Sequence, residues 1–256
     1  MNILVCIKRV PATGAKIVLT EDGQAIDTRH LGFTISPHEE CAVEEAIRLV
    51  EAHGGRATVL TLGPEAAIEQ LRESLAMGVS EAILLETDGD EWDPVATARA
   101  ITDAIRARQS DGEPFDLLLF GNESADAGGY QVGIRVARAL GLPCVTGVKK
   151  LDVDGDTLTA RREIPGGWGV YRLPLPAVVT VKEGINLPRY PSLPGKLRAK
   201  KKPIERITPQ KNPGGPRMVR LKTPPETGRG AQILGEGPAA ASRVVELLRE
   251  LGVLQS

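Results

Sequence analysis

Aromatic residues make up only 3% of the chain, too few to build a platform on which nucleic-acid bases could stack in succession. No sign of charge dominates either: the formal net charge is -1, which also argues against a nucleic-acid binder. Histidine and cysteine number three each. His30, His38, His53, Cys6, Cys41 and Cys144 show no metal-ligand spacing, so no metal site is expected. The cysteines are odd in number and far apart, which points to free thiols in a reducing compartment. The sequon at Asn122 then carries no meaning for glycosylation. No apolar run approaches the ~20 residues that span a bilayer, so no membrane insertion is expected. The opening MNILVCIKRVP puts its apolar residues ahead of its charges and is too short for a signal peptide; a cytoplasmic protein without a targeting segment is expected. Catalytic signatures are missing as well: there is no GxSxG, HExxH, kinase or CxxC pattern.

What is present is a regular alternation. At 256 residues, with 41% hydrophobic and 25% charged, the chain can bury a substantial core. Ile3–Ile7, Ala57–Leu62, Ala82–Leu85, Leu117–Phe120 and Pro176–Val181 are nearly continuous in apolar residues, as parallel strands covered on both faces are. Helical patterns separate them. After Ser36-Pro37, residues Ala42, Val43, Ala46, Ile47 and Val50 form one stripe. Ser36 can cap that helix, Pro37 suits its first turn and Glu39 stands at the capping-box position. Further helices are expected at Glu65–Leu75, Pro94–Arg108 and Tyr130–Leu140. The expected fold is α/β: a doubly wound, mostly parallel, Rossmann-like sheet. Val153–Glu163 and Gly169–Leu173 alternate more loosely around turns at Asp154-Gly155 and Pro165-Gly166-Gly167, an antiparallel edge hairpin. From Gly184 periodicity is lost. An extended C-terminal arm ends in an amphipathic helix, Pro238–Leu251. Residues 1–185 are thus expected as a nucleotide-binding domain, 186–207 as a separate basic segment, and 208–256 as the arm.

Two stretches attract functional attention. In LLLFGNESADAGGYQVG (117–133) a buried strand ends in a polar, glycine-bearing loop before a helix. Ligands of open α/β sheets bind at such strand ends, and helix N-termini suit phosphate. A plain strand–loop–helix turn would look the same by spacing, and no lysine follows the glycines to hold a β- or γ-phosphate. Asp126 would be awkward beside a triphosphate, so a nucleotide with few phosphates is favoured over ATP as substrate. The second stretch is NLPRYPSLPGKLRAKKKP (186–203). Leu193 sits among Pro188, Pro191 and Pro194, a segment expected to be neither helix nor central strand. Lys196, Arg198, Lys200, Lys201 and Lys202 follow it.

ILVCIKRVP, SPHEECAVEEAIRL, LAMGVSEAILL, GNESADAGGYQVG and above all LPAVVTVKEGINLPRYPSLPGKLRAKKKPIE, in that order, resemble the β subunit of electron transfer flavoprotein over most of the chain. The resemblance implies a non-enzymatic electron carrier, half of an αβ heterodimer whose α subunit holds most of the FAD. It implies a structural AMP in this chain. The family's AMP contacts fall on Cys6, on Ser36, Pro37, His38 and Glu39, on Leu62, and on the loop Gly121, Asn122, Glu123, Ser124, Ala125, Asp126, Ala127, Gly128, Gly129, Tyr130, Gln131 and Val132. It implies that the segment around Leu193, with cations such as Lys200 and Lys201, docks acyl-CoA and other flavin dehydrogenases. Electrons would pass on to electron transfer flavoprotein–quinone oxidoreductase. Glu163 resembles a residue that pairs with a cation of the mobile flavin domain. Family members often carry an aromatic near the flavin in the loop after KRVP. Thr13 stands there instead, and His38 replaces another bulky family residue. Two alternatives stay open: a bifurcating-type β subunit with its own FAD in place of AMP, and a stand-alone nucleotide-binding or nucleic-acid-binding module.

Overall fold

Alternation of side chains along the first strand, β1 (Asn2–Ile7), sets the layers. Ile3, Val5 and Ile7 enter one core, while Leu4 and Cys6 enter another on the opposite face. A strand that is buried on both faces must lie in the middle of a covered sheet. The computed structural model, which describes residues 1–12, 14–212, 214–225 and 230–254, has β1 there.

Parallel partners flank β1 on both sides: β4 (Arg56–Gly63) and β6 (Leu117–Gly121). Beyond β4 comes β5 (Glu81–Glu86), and beyond β6 comes β10 (Ala177–Val181), both parallel. The chain therefore runs outward from β1 in one direction and then restarts on its other side. This reversal between β1 and β6 is a topological switch point, where the loops at the carboxyl ends of the strands diverge and leave a crevice. A short pair, β2 (Val10–Pro11) and β3 (Phe33–Thr34), forms a separate two-stranded sheet.

Helices cover both faces. α1 (Pro37–His53) and α2 (Ile68–Met77) bury Ala42, Val43, Ala46 and Leu71 on one side. α3 (Pro94–Ser110) and α4 (Val132–Leu140) bury Ile101, Ile105 and Val136 on the other. The starts follow the sequence: Asp93 caps α3 by accepting from the N–H groups of Val95 and Ala96 at 2.8 and 3.1 Å, with Pro94 in the first turn. The edge beyond β10 is a meander rather than a single hairpin. β7 (Cys144–Asp154) joins the parallel sheet through β10 and continues antiparallel with β8 (Thr157–Ile164) and β9 (Gly167–Pro174). Its turns carry Gly155 and Gly166 at φ +56° and +82°, a backbone region glycine enters without cost.

The structure corrects the reading of the proline-rich segment. Leu193–Lys201 is a helix, α5. Ser192 caps it by accepting from Gly195 N–H at 3.1 Å, and Pro194 sits in the first turn, where a missing N–H costs nothing. Prolines here start the helix instead of preventing it. Gly195 and Ala199 form its inner face against α2, so close that a Cβ at Gly195 would lie 2.4 Å from the Ala76 carbonyl oxygen. Arg72 of α2 closes the far end by donating to the Ala199 and Lys202 carbonyls. Lys202 donates to the Val79 carbonyl at 2.7 Å. The chain then adds β11 (Glu205–Ile207) in parallel to β5. Arg206 pins that strand to Glu65 and Glu86, and Glu205 pairs with Arg108. The first compact unit runs from Met1 to Val219.

The second unit, Arg220–Ser256, contains α6 (Ala240–Glu250), none of whose residues is buried. Among the described residues, Val244, Val245 and Leu251 on its apolar stripe are exposed, while Leu247 and Leu248 are half-buried.

Gly195→Ala is expected to destabilise the chain by about 1–3 kcal/mol, because the added methyl has only a backbone oxygen to displace. Urea unfolding beside the exposed control Lys196→Ala checks this; equal midpoints would contradict the packing of α5 on α2.

Candidate functional site

The crevice at the switch point is built by two segments. One is the start of α1; the other is the loop between β6 and α4. Ser36, Pro37 and His38 face the loop residues Glu123–Gly128 across a cleft of about 450 Å³. Ser36, fully buried, donates its hydroxyl hydrogen to the Glu123 carbonyl at 3.2 Å and thereby staples the two walls.

Behind the cleft lies Glu39. Its Oε2 accepts from the Ser36 N–H at 3.3 Å, the half of a capping box expected from sequence, and from the Lys8 N–H at 3.0 Å. Burial pushes its carboxyl up to about 8, against the pull of these two N–H donors and the charge of Lys8. Gly121 presses on the same side chain: a Cβ there would stand 2.6 Å from Glu39 Cγ. This glycine is required by close approach. Cys6, beneath, is pushed well above the ordinary thiol range by burial and then by Glu39, which excludes a reactive thiolate.

Lys8, which inspection of the sequence did not single out, reaches in from the end of β1 and pairs with Asp126 at 2.5 Å. Burial opposes the Asp126 carboxylate, but the Lys8 charge and hydrogen bond, with the Ser124 hydroxyl and Ala127 N–H, hold it below its usual value. His38 is fixed at both ring nitrogens. Nδ1 accepts from the Glu183 N–H at 2.7 Å, so the ring hydrogen lies on Nε2, which donates to the Glu123 carboxylate at 3.2 Å. Asn122 is held through Thr180, whose hydroxyl donates to its Oδ1 at 2.9 Å.

At the far end of the loop Gly128 has φ +53°, and Tyr130 has φ +54°. Left-handed backbone is costly for a tyrosine and persists where surrounding structure demands it. Gln131, next in line, is in the right-handed helical region and opens α4. Opposite-handed neighbours of this kind bring successive N–H groups into a concave, anion-binding arrangement, here continuous with the helix N-terminus. Most of the residues singled out from sequence thus converge. Of these, Ser36, Pro37, His38 and Glu123–Gly128 line the cleft; Cys6, Glu39, Gly121, Asn122 and Gly129–Val132 lie behind it or at its ends, and Leu62, half-buried against the second core, does not line it. Thr13 lies outside the described residues.

Comparison with known proteins shows the family. Residues 25–212 match the family model of the electron transfer flavoprotein domain. The electron transfer flavoprotein subunit beta of Bacillus subtilis is 37% identical over 258 residues, covering 97% of this chain and 98% of that protein. That of Bradyrhizobium diazoefficiens is 35% identical, covering 99% and 100%. That of Thermoanaerobacterium thermosaccharolyticum is 34% identical over 266 residues, with 99% and 100% covered. The chain belongs to the electron transfer flavoprotein family, as a β subunit.

On this member of the family, the other residues singled out from sequence lie away from the cleft. Leu193, 73% exposed, stands in the first turn of α5, with Tyr190 and Leu197 also exposed. Lys200 and Lys201 are exposed in its last turn. Glu163, on β8, lies within 3.6 Å of Lys149 and 3.9 Å of Lys182. Among the described residues no group of histidines, cysteines and carboxylates is placed to hold a metal ion, and no helix is long and apolar enough to cross a membrane.

The buried carboxyl gives a pH test. Below its unfolded value Glu39 is protonated in both states. Between the ordinary 4.5 and about 8 only the folded chain keeps the proton. Stability is therefore fully present at low pH and falls as pH rises, by up to about 1.4 kcal/mol per unit. Urea midpoints of wild type and Glu39→Gln across this window should diverge, the variant lacking the slope; parallel curves would contradict the buried acid.

Proposed function

We propose that the chain is the AMP-holding, partner-docking subunit of a cytoplasmic electron carrier and turns over no substrate of its own. It pairs with an electron transfer flavoprotein α subunit that holds most of the FAD. Dehydrogenases, acyl-CoA dehydrogenases among them, reduce that flavin, which passes its electrons to a quinone oxidoreductase.

One observation carries the nucleotide reading: an anion-binding backbone at Tyr130–Val132 lies beside a cleft lined by carboxylates. Glu123 and Asp126 line it, and the nearby cation Lys8 is already matched to Asp126. A single phosphate can rest on backbone N–H groups at the helix entrance. Each further phosphate charge brought to ~6 Å of a carboxylate costs about 3 kcal/mol at an effective dielectric of ~20. AMP fits this balance better than ATP does. The residues that would hold AMP are Ser36 and His38 on one wall and the 123–132 backbone on the other. The chemistry of the flavin, one- and two-electron transfer, belongs to the neighbouring subunit; this chain's own task is to hold and orient.

For docking, the support is the preformed α5. Anchored on both sides, it loses little freedom on binding, and an exposed leucine on a rigid element can act as a hot spot. Lys196, Arg198, Lys200 and Lys201 speed encounter with acidic partners. The pair of lysines at Glu163 supports a role for that glutamate as an exchangeable ion-pair partner, since exposed pairs of this length are worth little. The arm 208–256 packs on the α subunit, where the exposed part of the α6 stripe finds its apolar surface.

Isothermal titration of the full chain should show AMP binding at least about tenfold tighter than ATP, a difference of about 1.4 kcal/mol; ATP binding as tightly would contradict the single-phosphate site. Leu193→Ala should slow flavin reduction by a partner dehydrogenase about tenfold or more while FAD content stays unchanged. Unaltered transfer rates would remove the anchoring role of Leu193.

A further inference from the structure

Between the cleft and α5 the chain runs along α1, and it is fastened there at three successive points. The Glu183 N–H donates to His38 Nδ1 at 2.7 Å. Asn186 Nδ2 donates to the Cys41 carbonyl at 3.0 Å and to Glu45 Oε2 at 2.8 Å. Arg189 makes a two-pronged contact with Glu44, at 2.9 and 3.1 Å, and another with Glu51, at 2.6 and 2.9 Å. Glu44 is only 3% exposed, and the loss of a partner from a buried charge is costly. The segment is thus buttoned to one rigid helix, and α5 begins four residues after the last button.

The first of these fastenings is also a wall of the cleft. His38 holds the loop through Glu123 with one ring nitrogen and the root of the segment through Glu183 with the other. The tautomer makes the two bonds complementary: the ring must accept from Glu183 in order to donate to Glu123. The geometry points to His38 as a positioning residue that couples the loop 121–132 to the segment 183–192, so that a ligand ordering the loop also tightens the mounting of α5. The two elements share α1, whose first turn shapes the cleft and whose next turns hold the segment, and this shared element carries the coupling. Coupling of this kind is reciprocal: loosening the segment must loosen the loop, with or without ligand. Its consequence for dehydrogenase docking rests on the function proposed above; the coupling itself does not.

Hydrogen exchange of the full chain, read by mass spectrometry, tests this from both ends. In the ligand-free state Arg189→Ala should raise exchange about fivefold in 183–192 and also in 122–130, while β8 and β9 exchange as in wild type. An unchanged loop beside a loosened segment would overturn the proposal. Should Arg189→Ala fail to fold, Asn186→Ala serves with the same criterion. At AMP concentrations that saturate each protein, wild type should gain protection over 183–192. His38→Asn, whose shorter side chain can still accept from Glu183 but no longer reaches Glu123, should lose that gain. An equal gain in His38→Asn would overturn the role of His38. Should the wild-type chain bind no AMP, the nucleotide assignment fails, and the ligand-free comparison still decides the coupling.

Discussion

A single buried carboxyl organises the centre of this molecule. Glu39 takes the N–H groups of Ser36 and Lys8 into one oxygen and leans on Gly121. It thereby ties the start of α1 to the ends of β1 and β6, the two strands between which the sheet reverses direction. A buried carboxyl without such partners would cost several kcal/mol; with them it fixes three chain segments within a few ångströms of one another. The cleft exists because these segments diverge immediately beyond Glu39.

From that junction the properties of the site follow in order. Acidic groups border the cleft, the lysine that could oppose them is matched to Asp126, and the remaining attraction for an anion comes from backbone N–H groups at Tyr130–Val132. On the function proposed above, such a site holds a ligand and does not transform it. Cys6 is buried and pushed far above the thiolate range, and His38 is bonded at both nitrogens. An electron-carrier subunit has no need of a nucleophile or a general base. It needs a stable mounting for α5, the helix proposed to dock partners, which the Arg189 contacts on one side of α5 and β11 on the other supply.

Much of this was legible in the residues, and the reasons are physical. The strands around Ile3–Ile7 and Leu117–Phe120 are covered on both faces, so they read as unbroken apolar runs. Ser36, Pro37 and Glu39 announced the start of α1 because capping is a local interaction. The cleft loop was recognisable from its glycines and its place after a buried strand. Three features were not legible. The prolines of 188–194 look like helix breakers, yet Pro194 lies in a first turn, the one place where proline favours a helix. β11 is three residues, two of them charged, and carries no apolar signal of its own. Lys8 meets Asp126 across 118 residues, and His38 meets Glu183 across 145. Pairings of that range follow from topology, which no local pattern encodes. The resemblance to electron transfer flavoprotein, now matched by relatives over nearly the whole chain, supplied the functional context that spacing alone left open.

The most direct test of a scaffolding nucleotide in this chain and a working flavin in its neighbour is a count of what the assembled complex carries. The chain is to be co-expressed with a flavin-binding α subunit, purified, denatured, and its released ligands identified by mass and absorbance. One AMP and one FAD per heterodimer are expected; two FAD and no AMP, or an adenylate-free complex, would contradict the assignment of the cleft.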